Sequence, residues 1–160
     1  MQARLEAQKA SPAAYNAMLG LETFLRRSSK LEPSLLELVK MRASQINGCA
    51  FCIDMHSKDA RAEGESEQRL YTLTSWRETP FFTDRERAAL AWTEAVTSIA
   101  EGHVPDEIYE EAKQRFTDEE LVNLTLAVIT INGWNRLAIS FRMVPGEYQP
   151  GAHKADSAKA

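Results

Sequence analysis

The 160-residue chain has little of what marks several function classes. With only two cysteines, it cannot be a disulfide-stapled secreted scaffold. There is no surplus of basic charge: 19 Lys and Arg stand against 23 Asp and Glu, a formal net charge of -4, and the two signs are interleaved throughout. A nucleic-acid binder presents a basic face or run, so no nucleic-acid partner is expected. Long hydrophobic runs are also missing. The longest candidate, residues 121–131, is interrupted by Asn123, Thr125 and Thr130, well short of the roughly 18 apolar residues of a membrane span. No membrane partner is expected. The opening Met1-Gln2-Ala3-Arg4-Leu5-Glu6 lacks the charged-then-apolar order of a secretion signal, which makes the cytoplasm the expected location. Nor does any stretch alternate apolar and polar residues with the period of a half-buried strand.

What remains is helix, and its start and stop signals are legible. Ser11-Pro12 opens a helix to about Arg27, and Pro33 opens the next, since proline is tolerated at a first helical position. Leu35, Leu38, Val39, Ala43 and Ile46 then recur at helical spacing, and Asn47-Gly48 supplies a left-handed stop. A third helix begins at or near Cys49 and ends at Gly64; a shorter one covers Ser66 to about Leu73, before a connection from Trp76 to Phe82. Thr83-Asp84-Arg85-Glu86 and Thr117-Asp118-Glu119-Glu120 both fit capping boxes. The first opens a helix to about Ile99, and the second precedes a long apolar helix from Leu121 to about Phe141, with a bend expected at Asn132-Gly133. A short amphipathic helix lies between, from Pro105 to Phe116. The fold class is all-α, with about seven to eight helices in one domain over residues 1–145 and a flexible tail over 146–160. The tripeptide Ile-Asn-Gly occurs at 46–48 and again at 131–133, each time after an apolar stretch.

In a reducing compartment, Cys49-x-x-Cys52 points to redox or metal chemistry rather than to a structural staple. A helix N-terminus favours negative charge and so stabilises the thiolate, the form that attacks peroxides and disulfides. His56 follows Cys52 by four residues, on the same helix face, and can take its proton or hold it as an ion pair. Glu37 lies on the preceding helix, on the face of Met41 and Ser44. If the two helices pack antiparallel, its carboxylate reaches the thiols or the imidazole. Two other readings of these residues stand beside the redox one. Cys49, Cys52 and His56 supply three zinc ligands with Glu37 as a fourth, or the cysteines are merely small buried hydrophobes. His103 and His153 carry no assigned role.

Taken together, Glu37 followed by Arg42-x-Ser44-x-x-Asn47-Gly48-Cys49-Ala50-Phe51-Cys52-x-x-x-His56 resembles the alkylhydroperoxidase D (AhpD)-like, carboxymuconolactone decarboxylase family, in its peroxidase-type branch. Phe82-Thr83-x-x-Glu86-Arg87-Ala88-Ala89-Leu90-Ala91-Trp92 and Asn132-Gly133-Trp134-Asn135-Arg136-Leu137-Ala138 resemble its later helices, so the likeness covers residues 20–145. It implies an AhpD-like helical fold, a homo-oligomer (trimer or hexamer), and peroxidase activity driven by an external dithiol reductant with no further cofactor and no metal. It also implies roles: Cys52 as peroxidatic thiol, Cys49 as resolving thiol, and His56 with Glu37 as proton relay. The helix-terminus argument favours the earlier cysteine as attacker and the imidazole favours Cys52; the imidazole is followed here. Phe51 stands where peroxidase members carry a histidine, which leaves the relay one basic group short. A dithiol argues against lactone decarboxylation. The rival from another class is a redox-sensing oligomer without turnover. Trp76, Phe81, Phe82, Trp92 and Trp134 offer more apolar face than one small core is expected to hold, which also points to assembly.

Overall fold

Prolines open and glycines close the helices that frame the molecule. The structure, a computed structural model, describes residues 2–151. Among these it holds nine α-helices, one 3₁₀ helix and no strand. The helices are α1 (Ala7–Ala10), α2 (Pro12–Ser28), α3 (Pro33–Asn47), α4 (Ala50–Ala62), α5 (Glu67–Thr72), α6 (Asp84–Thr97), α7 (Ile99–Gly102), α8 (Asp106–Arg115) and α9 (Asp118–Phe141). The all-α expectation therefore holds. Setting aside the four-residue turns α1 and α7, seven helices remain. Pro12 and Pro33 both sit in first turns, and both capping boxes form: Thr83 and Thr117 accept the amides of Glu86 and Glu120, whose carboxylates return to the threonine amides. Each such cap is worth about 1 kcal/mol.

α3 is the central helix, packed against α4, α6 and α9. One core cluster joins α2, α3, α6 and α9 through Leu25, Leu35, Val39, Trp92, Leu124 and Val128. A second joins α3, α5 and α6 through Leu38, Leu70, Trp76, Phe82 and Leu90. Trp76, Phe82 and Trp92 are thus core residues of a single chain rather than surplus apolar face. The surplus lies elsewhere, in the exposed Val122, Ile129 and Ile139 of α9 and Tyr71 of α5.

Two local expectations are corrected. The connection expected from Trp76 begins instead as a 3₁₀ helix, Leu73–Glu78, because the Trp76 ring is drawn into the core and its Nε1–H donates to Glu94. α9 runs as one helix through Asn132-Gly133. Gly133 lies under the Met18 side chain of α2, whose terminal Cε would sit 2.8 Å from a Cβ at that position and would have to swing aside for one. The repeated Ile-Asn-Gly tripeptides meet, with Asn47 Nδ2 donating to Asn132 Oδ1 at 2.9 Å and to Asn135 Oδ1 at 2.8 Å.

Past α9 the chain turns back along α4. The Gly146 amide donates to Asp54, Lys58 Nζ donates to the carbonyls of Gly146 and Tyr148, and the Tyr148 hydroxyl donates to both oxygens of Asp59. The first part of the expected tail is therefore tied to α4, because Asp54, Lys58 and Asp59 present it with partners; the rest, residues 152–160 with His153, lies outside the described residues.

Candidate dithiol site

Gly48 ends α3 with φ at +68°, a left-handed conformation in which a side chain is strained, and the Cys49 amide donates back to the Ser44 carbonyl. This closed turn delivers Cys49 as the N-cap of α4, one residue before its first turn. Its Sγ accepts the Cys52 amide at 3.4 Å. Cys52 is three residues on, with a Cα–Cα separation of 5.4 Å, and the two sulfurs lie at disulfide distance. The spare amide at the helix start thus faces the earlier sulfur, and Cys49 stands outside the helical line expected to join it with Cys52 and His56.

The pair is covered, with Cys49 and Cys52 only 1% and 2% exposed. They share an apolar cluster with Ala43, Ile131 and Ala138, onto which Phe51, Trp134 and Met143 pack. Phe51, in the position where a histidine stands in peroxidase members, is thus part of the apolar wall. Beneath the wall lies a buried amide network in which Asn135 Nδ2 donates to Ser44 Oγ at 3.0 Å, tying α9 to the turn that carries Cys49.

His56 is buried, and its Nδ1 meets Glu37 Oε2 at 2.8 Å. The packing of α3 on α4 therefore brings together the two groups that sequence spacing alone left on separate helices. Burial pushes the Glu37 carboxyl up, but the His56 ring, by charge and hydrogen bond, together with Lys40 and Arg26, outweighs it and holds the group down at about 2. Glu37 is an anion at any physiological pH. Among the described residues no hydrogen bond joins His56 to either sulfur; the ring lies one helical turn beyond Cys52 with Nδ1 committed to the carboxylate. A cleft of about 200 Å³ lined by Ser34, Glu63, Arg69 and Glu86 reaches Glu37 from the surface.

Four participants lie outside the sequence reading. Lys40 is 1% exposed, with Nζ 2.8 Å from Glu22 Oε2 and 3.6 Å from Glu37 Oε1. Asp59 brings a carboxylate oxygen within 4.8 Å of the Glu37 and His56 ligand atoms. Tyr148 caps Asp59; burial and that carboxylate push its phenol well above the usual range, so it remains a donor. Asp59 had a sequence signal, three residues after His56 on the same face. Lys40 had a weaker one, a lone cation between Val39 and Met41, and nothing local marks Glu22 or Tyr148. Glu37, His56 and Asp59 have the chemistry of a metal trio, but it differs from the set that the alternative zinc reading drew from the sequence, Cys49, Cys52, His56 and Glu37. Lys40 already supplies the positive charge and His56 already holds Glu37. His103 is exposed before α8 and joins nothing here.

Comparison with known proteins agrees with the motif. The model of the carboxymuconolactone decarboxylase family matches residues 12–95. YdfG of Bacillus subtilis (strain 168), an uncharacterised protein, is 41% identical over 140 residues, which cover 88% of this chain and 95% of that one. A solved structure from Agrobacterium tumefaciens, of unknown function and put forward as an antioxidant defence protein AhpD, is 46% identical with a TM-score of 0.88, over 92% of this chain and 100% of that one. An uncharacterised peroxidase-related protein from Silicibacter sp. TM1040 shares the fold at 21% identity and a TM-score of 0.76, over 86% and 72%.

Proposed function

The chain belongs to the carboxymuconolactone decarboxylase family, and within it we propose that this protein is a dithiol peroxidase reducing hydrogen peroxide or organic hydroperoxides through Cys49 and Cys52. The observation that carries the reading is a C-x-x-C pair at disulfide distance on a helix N-terminus, one turn from an imidazole held by a buried carboxylate. The AhpD-type likeness and this pair both favour a redox role; lactone decarboxylation would leave the dithiol without a part.

In the proposed cycle Cys52 thiolate attacks one peroxide oxygen and the O–O bond breaks. The sulfur becomes a sulfenic acid, and the departing alkoxide or hydroxide takes a proton from His56. Cys49 then attacks Cys52 Sγ, forming the disulfide and releasing water. An external dithiol reduces the disulfide and is itself oxidised, so peroxide plus dithiol yields alcohol, water and an external disulfide. Glu37, an anion at working pH, does not itself carry the proton; it fixes the His56 ring with Nδ1 toward the carboxylate. The Cys52 amide on Cys49 Sγ suits the last step, since it stabilises Cys49 as the leaving thiolate when reductant attacks Cys52. Because both sulfurs are covered, exchange requires the first turn of α4, which carries Phe51, to part from Trp134 and Met143. A reducing cytoplasm is the fitting location, and among the described residues no helix is long and apolar enough to cross a membrane. The exposed Val122, Ile129 and Ile139, with α2 burying only Leu25, favour assembly as a homo-oligomer, for which the family resemblance implies a trimer or hexamer.

Steady-state peroxide consumption tests the reading. With excess dithiol, the protein is expected to consume many equivalents of hydrogen peroxide or an organic hydroperoxide, one dithiol oxidised per peroxide. Without reductant it stops after one equivalent. A reversible disulfide with no turnover on any peroxide would replace the peroxidase by a redox sensor.

A further inference from the structure

We infer that Lys40 is a positioning residue for the dithiol site, its buried ammonium bridging Glu22 of α2 and Glu37 of α3 and so clamping the carboxylate that holds His56. The inference rests on the proposed dithiol chemistry. It begins from an expensive arrangement. An ammonium removed from water is costly unless paired, and a methionine or leucine would fill the same core space without that cost. Lys40 nevertheless lies in the middle of the central helix, 1% exposed, between the buried Val39 and Met41.

The geometry divides the two oxygens of Glu37 between two partners. Oε2 meets His56 Nδ1 at 2.8 Å and Oε1 faces Lys40 Nζ at 3.6 Å. A carboxylate held by only one oxygen can swing about its terminal torsion, which is broad; the Lys40 ammonium, at ion-pair distance and beyond a hydrogen bond, restrains the second oxygen by charge, and with it the plane of the imidazole. The spacing of three residues on α3 sets Glu37 and Lys40 on one face. Glu22, 2.8 Å from Nζ, fixes the ammonium from a second helix. The chain of contacts from Glu22 through Lys40 and Glu37 to His56 therefore spans α2, α3 and α4.

The other charged groups facing this chain are Arg26 from α2, whose positive charge acts on Glu37, Asp59 from α4, with Tyr148 of the C-terminal segment on Asp59, and Glu63, Glu65, Arg69 and Glu86 across the cleft that reaches Glu37. Without Lys40, the part-buried Glu22 and the buried Glu37 lose the cation between them, and Glu37 loses one of the charges that keep its carboxylate ionised. His56 then faces a carboxyl that is free to turn. A thiolate at Cys52 loses both the net positive charge of Lys40 and the fixed ring beside it.

The alternative is a purely structural tie between α2 and α3, which would affect stability and leave the thiol alone. The test uses the full reduced chain. The rate of Cys52 alkylation by iodoacetamide, read by peptide mass spectrometry, is followed against pH for the wild type, Lys40→Met and Lys40→Met/Glu22→Gln. The double variant removes the carboxylate that the single one strands. Histidine ring ¹⁵N spectra report whether the His56 proton stays on Nδ1. In both variants the pH of half-maximal alkylation is expected to rise by about one unit, making the reaction about tenfold slower at neutral pH, and the His56 ring is expected to lose its single Nδ1–H signature. A wild-type profile and ring spectrum in either folded variant would overturn the inference. Glu22→Gln, whose side-chain oxygen still accepts from Lys40 Nζ and so leaves the ammonium in place beside Glu37, covers the case in which neither Lys40 variant folds: it is expected to retain the Nδ1–H signature, and a lost signature there counts against the clamp. Alkylation needs no peroxide, so a wild type that turns over no peroxide refutes the peroxidase reading and leaves this test standing.

Discussion

Replacing Cys52 by serine is expected to lower peroxide turnover by at least about 10³-fold, because a serine hydroxyl beside a histidine is not ionised at neutral pH and an alkoxide is not the nucleophile this site is built to hold. Cys49→Ser is expected to behave differently. Its Cys52 still attacks the first peroxide, so one equivalent is consumed, but no disulfide forms and turnover with a dithiol reductant falls steeply. The asymmetry between the two variants follows from their positions. Cys52 lies on the face of α4 that carries His56, whereas Cys49 is the N-cap, outside the helix, with the Cys52 amide on its sulfur. A first equivalent kept by Cys52→Ser and lost by Cys49→Ser would place the attack on Cys49, and one kept by both would place it elsewhere. Stopped-flow peroxide consumption separates these outcomes.

Glu37→Gln is expected to cost about 3 kcal/mol of stability at neutral pH and about 10²-fold in turnover. The first figure follows from linkage: the carboxyl is held at about 2 against an ordinary 4.5, and each unit of displacement is worth about 1.4 kcal/mol. The folded value is depressed, so the stabilisation is fully present above pH 4.5 and is lost as pH falls from there toward 2. The glutamine variant lacks that titration. Its stability should fall less between pH 5 and 3 than that of the wild type, so the two denaturation curves converge as the solution is acidified. For a chain of this size, about 3 kcal/mol lowers Tm by roughly 6–12 °C. The kinetic figure is the low end of what positioned proton transfer contributes, since the amide still accepts from His56 while the anion is gone. Denaturant unfolding at several pH values checks the first claim, and a pH–rate profile the second.

How far the sequence carries the reader differs from one residue to the next. Pro12, Pro33, Gly48 and the two threonine capping boxes act within a few residues of themselves, and each marks a boundary in the structure. The dithiol motif is local in the same sense, which is why Cys49, Cys52 and His56 could be singled out by spacing. Glu37 was a candidate only on condition that α3 packs on α4, and the 2.8 Å contact with His56 depends on that packing. Lys40 escaped notice because a lysine three residues after a glutamate ordinarily reads as a solvated helix pair; only the surrounding α2, α4, α6 and α9 make it a buried one. Tyr148 meets Asp59 across 89 positions of chain, a contact that no window of sequence contains. Gly133 was misread as a bend because an Asn-Gly pair that ends a helix and one inside a continuous helix look alike until α9 is seen to run on under Met18. Trp76, Phe82 and Trp92 each take the core place that ordinary packing gives a single aromatic; only their sum looked too large for one core, because three helices converge on α3 and provide more core than their separate faces suggested.

The central claim is that Cys52 is the sulfur that peroxide oxidises. The most direct measurement traps that species: reduced Cys49→Ser is given one equivalent of hydroperoxide in the presence of dimedone, and its peptides are weighed. A single dimedone adduct is expected on the peptide carrying Cys52, absent when peroxide is omitted. Peroxide consumed by this variant with no adduct at Cys52, or a Cys52→Ser protein that forms the adduct at Cys49 and keeps turning over, would contradict the claim.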